Sequence, residues 1–198
     1  MDKRYFVDQL RAFAEMYNIS AGEEILGEIV NRASFRVIPK GEIVSFIGDA
    51  TTEAGLVLSG LIRCYYIDED GNDITRGFAP EGVMCMDEGF FGYQDRICMW
   101  ETLEETTIMY CKTADIRNLI KEKADFKDIW IYLLERALRY KIYRENGFLL
   151  ENAAERYIHF IKLYPNINKR VPQKHIATYL GITPESLSRI RSAMKEDE

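Results

Sequence analysis

The strongest constraint on the fold is a pair of short helical patterns joined by a glycine near the end of the chain. Ile176, Ala177 and Leu180 recur at the spacing of one helical face. Gly181 follows at once, where a helix end favours a residue that tolerates positive φ. Thr183 then suits the position that caps the start of a second helix. The segment therefore predicts two helices separated by a tight turn.

The second of these helices is predicted to have one apolar and one polar face. Leu187, Ile190 and Met194 recur at helical spacing and should point inward. The positions left to face outward are Glu185, Ser188, Arg189 and Ser192. A helix pair that presents a polar, Arg-bearing face is typical of proteins that place a helix in the DNA major groove. A plain helical hairpin is the alternative interpretation.

Charge is distributed unevenly along the 198 residues, whose formal net charge is −6. Residues 156–195 contain eight Lys or Arg and one acidic residue, so their net charge is +7 and the remainder carries −13. A basic segment that coincides with the two-helix pattern favours phosphate binding by that segment. A solvated basic surface without a partner is the alternative.

Composition narrows the class of protein. Apolar residues make up 47% of the chain and charged residues 29%, as in ordinary globular proteins. No run of about 18 apolar residues is present and the first residues lack an apolar signal core, so we expect a cytoplasmic protein that does not enter membranes. Cys64, Cys85, Cys98 and Cys111 form no CxxC pair, and we expect reduced, packed thiols.

The period of the apolar residues changes along the chain. In residues 3–31 the apolar residues have helical spacing. In residues 34–112 apolar and polar residues alternate within short segments that turn residues separate, which predicts an antiparallel β-roll or jelly roll. A long helix is predicted over about 125–149. The predicted fold class is α+β, with a sensor domain over 1–149 and a helix-turn-helix domain over 150–198.

The predicted long helix has two interpretations. Phe126, Trp130, Leu133, Ala137 and Tyr140 alternate steps of four and three, which is the spacing of a coiled-coil stripe. Such a stripe can pair two copies of the chain in a symmetric dimer. It can equally pack against the β-roll of its own chain.

The order of β-roll, long helix and basic helix-turn-helix resembles the Crp/Fnr family of bacterial transcription factors, and most closely the variant found in Bacteroides-type bacteria. The segments that carry the resemblance are 171–191, 38–42 and 57–63. It implies a homodimeric, sequence-specific DNA-binding regulator of transcription that is not an enzyme. Its implied partners are double-stranded DNA, an unidentified small-molecule effector and, for an activator, RNA polymerase.

The resemblance also assigns roles to individual residues. Arg189 would bind guanine through two hydrogen bonds, and Glu185 would accept one from cytosine N4. Pro184 occupies the place of a further base-reading residue and cannot make that contact. The other residues that we assign to the DNA interface are Gln173, Lys174, Thr183, Ser188 and Arg191. The β-hairpin wing that usually follows the recognition helix is expected to be missing.

In members of the family that bind cyclic AMP, a short cassette holds the phosphate, and here this cassette is degenerate. Arg96 is kept, but Met86 replaces a glycine and Ile97 replaces a hydroxyl-bearing residue. We predict that the roll does not bind cyclic AMP tightly. The candidate effector pocket consists of Asp87, Glu88, Arg96 and Ile97. A surface salt bridge of Arg96 with Asp95 or Glu101 is the alternative to a pocket.

Other sensors fit the sequence poorly. An amino-terminal iron–sulfur cluster is excluded because no cysteine precedes Cys64. Haem is disfavoured because His159 and His175 both lie in the predicted DNA-binding half. No cofactor, metal or catalytic site is predicted, and packing is favoured over a redox role for Cys85 and Cys98.

Two other functions compete with DNA binding. A cupin-type enzyme would share a jelly-roll architecture but needs several histidines on its strands, and residues 34–112 contain none. A β-roll that binds a ligand or a protein partner, with a helix-turn-helix that binds little DNA, also fits the pattern. DNA binding and its dependence on salt would separate these interpretations.

Overall fold

A computed structural model describes residues 3–196, which form eight α-helices, eight β-strands and one 3₁₀ turn over Glu88–Phe91. The helices are α1 (Lys3–Met16), α2 (Glu23–Arg32), α3 (Thr113–Glu122), α4 (Ala124–Leu150), α5 (Ala153–Leu163), α6 (Ile167–Arg170), α7 (Gln173–Leu180) and α8 (Pro184–Glu196). The strands are β1 (Ala33–Ile38), β2 (Ile43–Ser45), β3 (Glu53–Ser59), β4 (Ile62–Ile67), β5 (Asp73–Ala79), β6 (Met84–Cys85), β7 (Met99–Thr102) and β8 (Thr106–Lys112). The predicted α+β class is confirmed.

The strands form the predicted antiparallel roll. One four-stranded sheet has the order β1-β8-β3-β6 and the other β2-β7-β4-β5. The core between them includes Val57, Ile62 and Ile108, all fully buried. Gly60 makes the bend between β3 and β4 at φ +94°, and a Cβ there would lie 2.6 Å from a backbone oxygen of Glu105. Only glycine therefore fits this bend.

Helices cover the outer face of the β1-β8-β3 sheet. Phe6, Leu10 and Val30 from α1 and α2 are buried in one apolar cluster together with Leu119 and Trp130 from α3 and α4. This cluster lies outside the roll and is separate from the core between its sheets. The first half of α4 is thereby fixed to the roll and the amino-terminal helices.

Helix α4 has 27 residues and is about 40 Å long. Phe126 and Trp130, at the start of the predicted stripe, are buried in the outer cluster, whereas Ala137 is exposed. The start of this stripe therefore packs against the same chain. A second apolar row on α4 remains exposed and consists of Ile131, Leu134, Leu138 and Ile142. No helix in the described part of the chain is long and apolar enough to span a membrane.

The last four helices form a second unit. Asn152 begins α5 with a capping box, since its side chain accepts from the backbone of Glu155 and the Glu155 carboxylate accepts from the Asn152 N–H. The core of this unit also contains Leu61, Phe78 and Leu103 from the roll. The two halves of the chain therefore share apolar contacts. Helix α8 reaches the end of the described residues, so the predicted lack of a wing after it stays a prediction.

Candidate DNA interface and effector pocket

The turn between α7 and α8 forms as its sequence predicts. Gly181 adopts the left-handed conformation at φ 70°, and the Ile182 N–H donates to the Ala177 carbonyl at 3.0 Å. The hydroxyl of Thr183 accepts a hydrogen bond from the Ser186 N–H at 3.2 Å, which caps α8. These local contacts fix where the second helix begins.

The two faces of α8 separate as predicted. Leu187 is fully buried, and Ile190 and Met194 pack against the same core. Burial of this row turns the opposite side of α8 toward solvent. The proposed DNA-contacting residues that are exposed are Gln173, Lys174, Thr183, Glu185, Ser188 and Arg189, whereas Arg191 is half-buried.

Two charged side chains dominate the exposed start of α8. The backbone N–H at Glu185 and then the hydroxyl of Thr183 donate to the carboxylate, and they lower the pKa of Glu185. Glu185 is therefore ionised at neutral pH and can accept hydrogen bonds. Arg189 lies one turn later and donates to the Ser186 hydroxyl at 3.3 Å. The exposed start of α8 thus offers one anionic acceptor and one planar cationic donor.

In the proposed effector pocket, Arg96 is buried rather than on the surface. Its guanidinium forms an ion pair with Glu88 at 2.8 Å and donates to the Glu53 carbonyl at 2.6 Å and to the Met86 carbonyl. The alternative of a surface salt bridge with Asp95 or Glu101 is therefore wrong. Arg96 thus connects its own segment of the roll to Glu53 on β3 and to the segment that contains Met86 and Glu88.

Glu88 fills the position that faces Arg96. The carboxylate is 2% exposed and accepts hydrogen bonds from Cys98 at 2.9 Å and from the Trp100 indole at 3.2 Å. Burial alone would raise the pKa of Glu88, but the donors, Cys98 first among them, outweigh it and lower the pKa. A phosphate directed at Arg96 would have to displace an internal carboxylate. Of the other pocket residues, Asp87 and Ile97 are half-buried, and burial raises the pKa of Asp87.

Known proteins share sequence features and the fold of this chain. The sequence profile of the cyclic nucleotide-binding domain matches residues 35–123. FixK2 from Bradyrhizobium japonicum is 18% identical and superposes with a TM-score of 0.73 over 83% of this chain and 85% of its own. A regulator from Eubacterium rectale assigned to the Crp/Fnr family is 17% identical, with a TM-score of 0.68 over 94% of this chain and 88% of its own.

Residues 35–123 resemble a cyclic nucleotide-binding domain, and the chain has the fold of Crp/Fnr regulators. CLP from Xanthomonas campestris, described as a regulator responsive to c-di-GMP, is 15% identical and superposes with a TM-score of 0.70 over 89% of this chain and 93% of its own. None of the curated protein sequences matches the chain. The resemblance to the Crp/Fnr family noted from the sequence is confirmed at the level of the fold.

The roll contacts α7 through a buried arginine that sequence analysis did not single out. Arg63 on β4 is 1% exposed and pairs with Asp73 at 2.8 Å and Glu101 at 2.7 Å. It also contacts the Nδ1 of His175 on α7. We call this group of four side chains the Arg63 cluster. The only signal in the sequence was the position of Arg63 within the family-like segment 57–63.

His175 enters the Arg63 cluster as a neutral group. Burial disfavours the imidazolium, and the nearby Arg63 charge adds to this, so the pKa of His175 falls to about 4. The neutral Nδ1 can then accept a hydrogen bond from the guanidinium. Thr75 on β5 and Thr178 on α7 lie beside the cluster, and their hydroxyl oxygens are 2.8 Å apart.

Two further arginines make contacts between the carboxyl-terminal unit and the rest of the chain. Arg170 pairs with Glu81 at 2.8 Å and with Glu104, both from loops of the roll. Arg144 on α4 donates to the Tyr179 carbonyl at 3.2 Å. Helix α7 is therefore attached to both the roll and the long helix.

The four thiols of the roll are all buried. Burial raises the pKa of Cys85 well above its ordinary value and that of Cys111 to about 11. Cys64 and Cys98 lie with their sulfurs 2.9 Å apart. Raised pKa values disfavour the reactive thiolate, in line with the prediction of packed cysteines.

Proposed function

We propose that this protein is a sequence-specific DNA-binding regulator of transcription that acts in the cytoplasm as a homodimer. The observation that carries the proposal is the orientation of α8, which buries Leu187 while Glu185 and Arg189 face solvent. The regulators that share the fold support the same function. Arg189 would read guanine and Glu185 cytosine in the major groove.

The remaining residues of the proposed DNA interface would position the helix. Gln173 and Lys174 lie at the exposed start of α7, where they can contact phosphates without reading sequence. Arg191 can extend from the flank of α8. The resulting interface combines two base-reading side chains with several backbone contacts. Division of the chain into a sensor domain over 1–149 and a DNA-binding domain over 150–198 is part of this proposal.

The experiment that tests the proposal is selection of a DNA site followed by gel-shift titration at several salt concentrations. Arg189→Ala should weaken binding to the selected site by about 1–3 kcal/mol and relax selectivity at one base pair. Lys174→Ala should weaken binding to every sequence alike and make the dependence on salt shallower. Full selectivity of the Arg189 variant would contradict the assigned reading face.

The exposed apolar row on α4 supports the homodimer. Ile131, Leu134, Leu138 and Ile142 follow steps of three and four, and two such rows can pack as a coiled-coil seam. This row replaces the stripe first considered from the sequence, part of which is buried against the roll. A dimer would present two recognition helices to half-sites about one helical turn apart, near 34 Å.

Leu138→Ala should weaken the dimer. Leu138 is 60% exposed in the single chain, so pairing would bury it twice, once from each copy. We expect a loss on the order of 3 kcal/mol per dimer, which is roughly a hundredfold in the dissociation constant measured by sedimentation. Leu163→Ala, on α5 away from the row, is the matched control. An unchanged dissociation constant for the Leu138 variant would rule out this seam.

We infer that the roll does not use cyclic AMP as its effector. Glu88 already pairs with Arg96, and a cyclic phosphate would bring a second negative charge to the same guanidinium. The alternative function is a β-roll that binds a ligand or partner while the helix-turn-helix binds little DNA. Absence of salt-dependent DNA binding at low ionic strength would favour that alternative.

A further inference from the structure

An apolar cavity lies outside the roll, between its β1-β8-β3 sheet and the helices that cover it. Its walls come from α1 and α2 on one side, β3 and β8 on another, and α3 and α4 on the third. Representative lining residues are Ala14, Ile29, Met109, Leu119 and Trp130. It is therefore distinct from the pocket around Arg96, which belongs to the interior of the roll.

The size and lining of this cavity suit a single small ring. Its volume is about 120 Å³, and nearly all lining side chains are aliphatic, aromatic or methionine. A cavity of about 150 Å³ with a comparable lining stays dry and binds benzene. Water gains too few hydrogen bonds in such a space to fill it well, so an apolar ring is the favoured occupant.

A cation lies at the rim of the cavity. Arg136 on α4 donates to the Tyr17 hydroxyl and to the Gly82 carbonyl, both at 3.1 Å, and Tyr17 and Gly82 belong to the lining. The guanidinium also stacks 3.9 Å above the Tyr17 ring. No carboxylate of the described residues pairs with Arg136, so its charge is met only by neutral groups.

We propose that this cavity binds a small aromatic carboxylic acid, with the ring between the helices and the carboxylate on Arg136. The ring supplies the apolar surface that the cavity lacks, and the carboxylate supplies the anion that Arg136 lacks. Arg136 and Tyr17 are only half-buried, so a carboxylate that enters at the rim can reach the guanidinium. A neutral ring of equal size would gain the apolar contacts of the cavity but not the ion pair with Arg136.

The location of the site connects it to the DNA interface, and this consequence rests on the proposed function. Trp130 and Leu133 line the cavity on α4. About two turns after Leu133 on the same helix, the Tyr140 hydroxyl contacts the Tyr179 hydroxyl at 3.1 Å. One turn further on, Arg144 donates to the Tyr179 carbonyl. A ligand that shifts α4 therefore acts on α7, which supports the recognition helix.

The test is calorimetric titration of the full chain with benzoate and, separately, with toluene. We expect saturable binding of both, with benzoate the tighter. Arg136→Met should weaken benzoate about tenfold and leave toluene unchanged, because only the charged contact is removed. Arg139→Met, an exposed arginine on the same helix, is the matched control and should change neither.

Variants that fill the cavity give a second, independent test of ligand binding. Ala14→Leu adds three carbons to the buried side of α1 and should abolish binding of both probes. Ala12→Leu, on the exposed side of the same helix, should have no effect. Ile29→Phe serves the same purpose if the Ala14 variant does not fold, with folding checked by circular dichroism.

Three outcomes would overturn the proposal. They are failure of both probes to bind, binding that survives both cavity-filling variants, and benzoate binding that is indifferent to Arg136→Met. All these measurements are made without DNA, so they succeed or fail independently of the proposed regulator function. Gel shifts with and without benzoate then test the connection through α4 separately.

Discussion

Replacing Arg63 with methionine is expected to destabilise the protein by about 3–5 kcal/mol. The guanidinium is almost completely buried and is the counter-ion for Asp73 and Glu101. Methionine would occupy a similar volume but leave both carboxylates without a cation and His175 without its donor. The free energy of unfolding from urea titration, followed by far-ultraviolet circular dichroism, measures the loss.

The matched control is Arg36→Met. Arg36 also forms an ion pair, with Glu53 at 3.0 Å, but both side chains are substantially exposed. Exposed pairs contribute about 0–1 kcal/mol, so this variant should unfold close to wild type. If the Arg63 and Arg36 variants lost equal stability, the Arg63 cluster would not be the main polar attachment of α7 to the roll.

A selective effect on the carboxyl-terminal unit would reveal how the two halves are joined. The apolar core of that unit includes Leu61 and Phe78 from the roll, so the halves are expected to unfold together in wild type. Loss of the Arg63 cluster removes polar contacts but keeps these apolar ones. A second, earlier transition in the variant would show that the cluster is what makes unfolding cooperative.

The sequence predicted the helix-turn-helix well because its signals are local. Gly181 closes α7 and Thr183 caps α8 through contacts that span only a few residues. The burial of Leu187 follows from the same helical spacing. Motifs of this kind are decided by nearest neighbours along the chain, so the sequence contains nearly all the information needed.

Contacts between distant segments could not be predicted in the same way. Arg63 and His175 are separated by 112 residues, and nothing in either local pattern shows that they meet. The apolar stripe of α4 had the right period, but this helix has apolar residues on more than one side. Which row faces the roll depends on the shape of the outer sheet, and Leu138 on the exposed row was therefore missed.

The pocket around Arg96 shows a third reason why the structure of a site could not be fully predicted from the sequence. Comparison with the cyclic nucleotide cassette identified Arg96 as retained and Met86 and Ile97 as departures from the pattern. A 3₁₀ turn that begins at Glu88 puts the Glu88 carboxylate directly on the Arg96 guanidinium. The sequence indicated a defective phosphate site but did not show that an internal anion fills it.

Arg96→Met is expected to destabilise the protein by about 3–5 kcal/mol, since it leaves the Glu88 carboxylate buried without a cation. The double variant Arg96→Met, Glu88→Gln should lose clearly less than the sum of the single variants, because it removes the charge together with its partner. Urea titrations of the three variants measure this coupling. Strict additivity would show that the two side chains do not act as a pair.

The same pair sets a dependence on pH. The donors around Glu88 hold its folded pKa below the ordinary value, so the unfolded chain binds the proton more readily. The stability that Glu88 contributes is therefore fully present above the unfolded pKa, near 4.3, and is lost as the pH falls through the lower folded pKa. Wild type should lose more stability than Glu88→Gln between neutral and acidic pH. Equal losses would mean that Glu88 is not the anion that Arg96 holds.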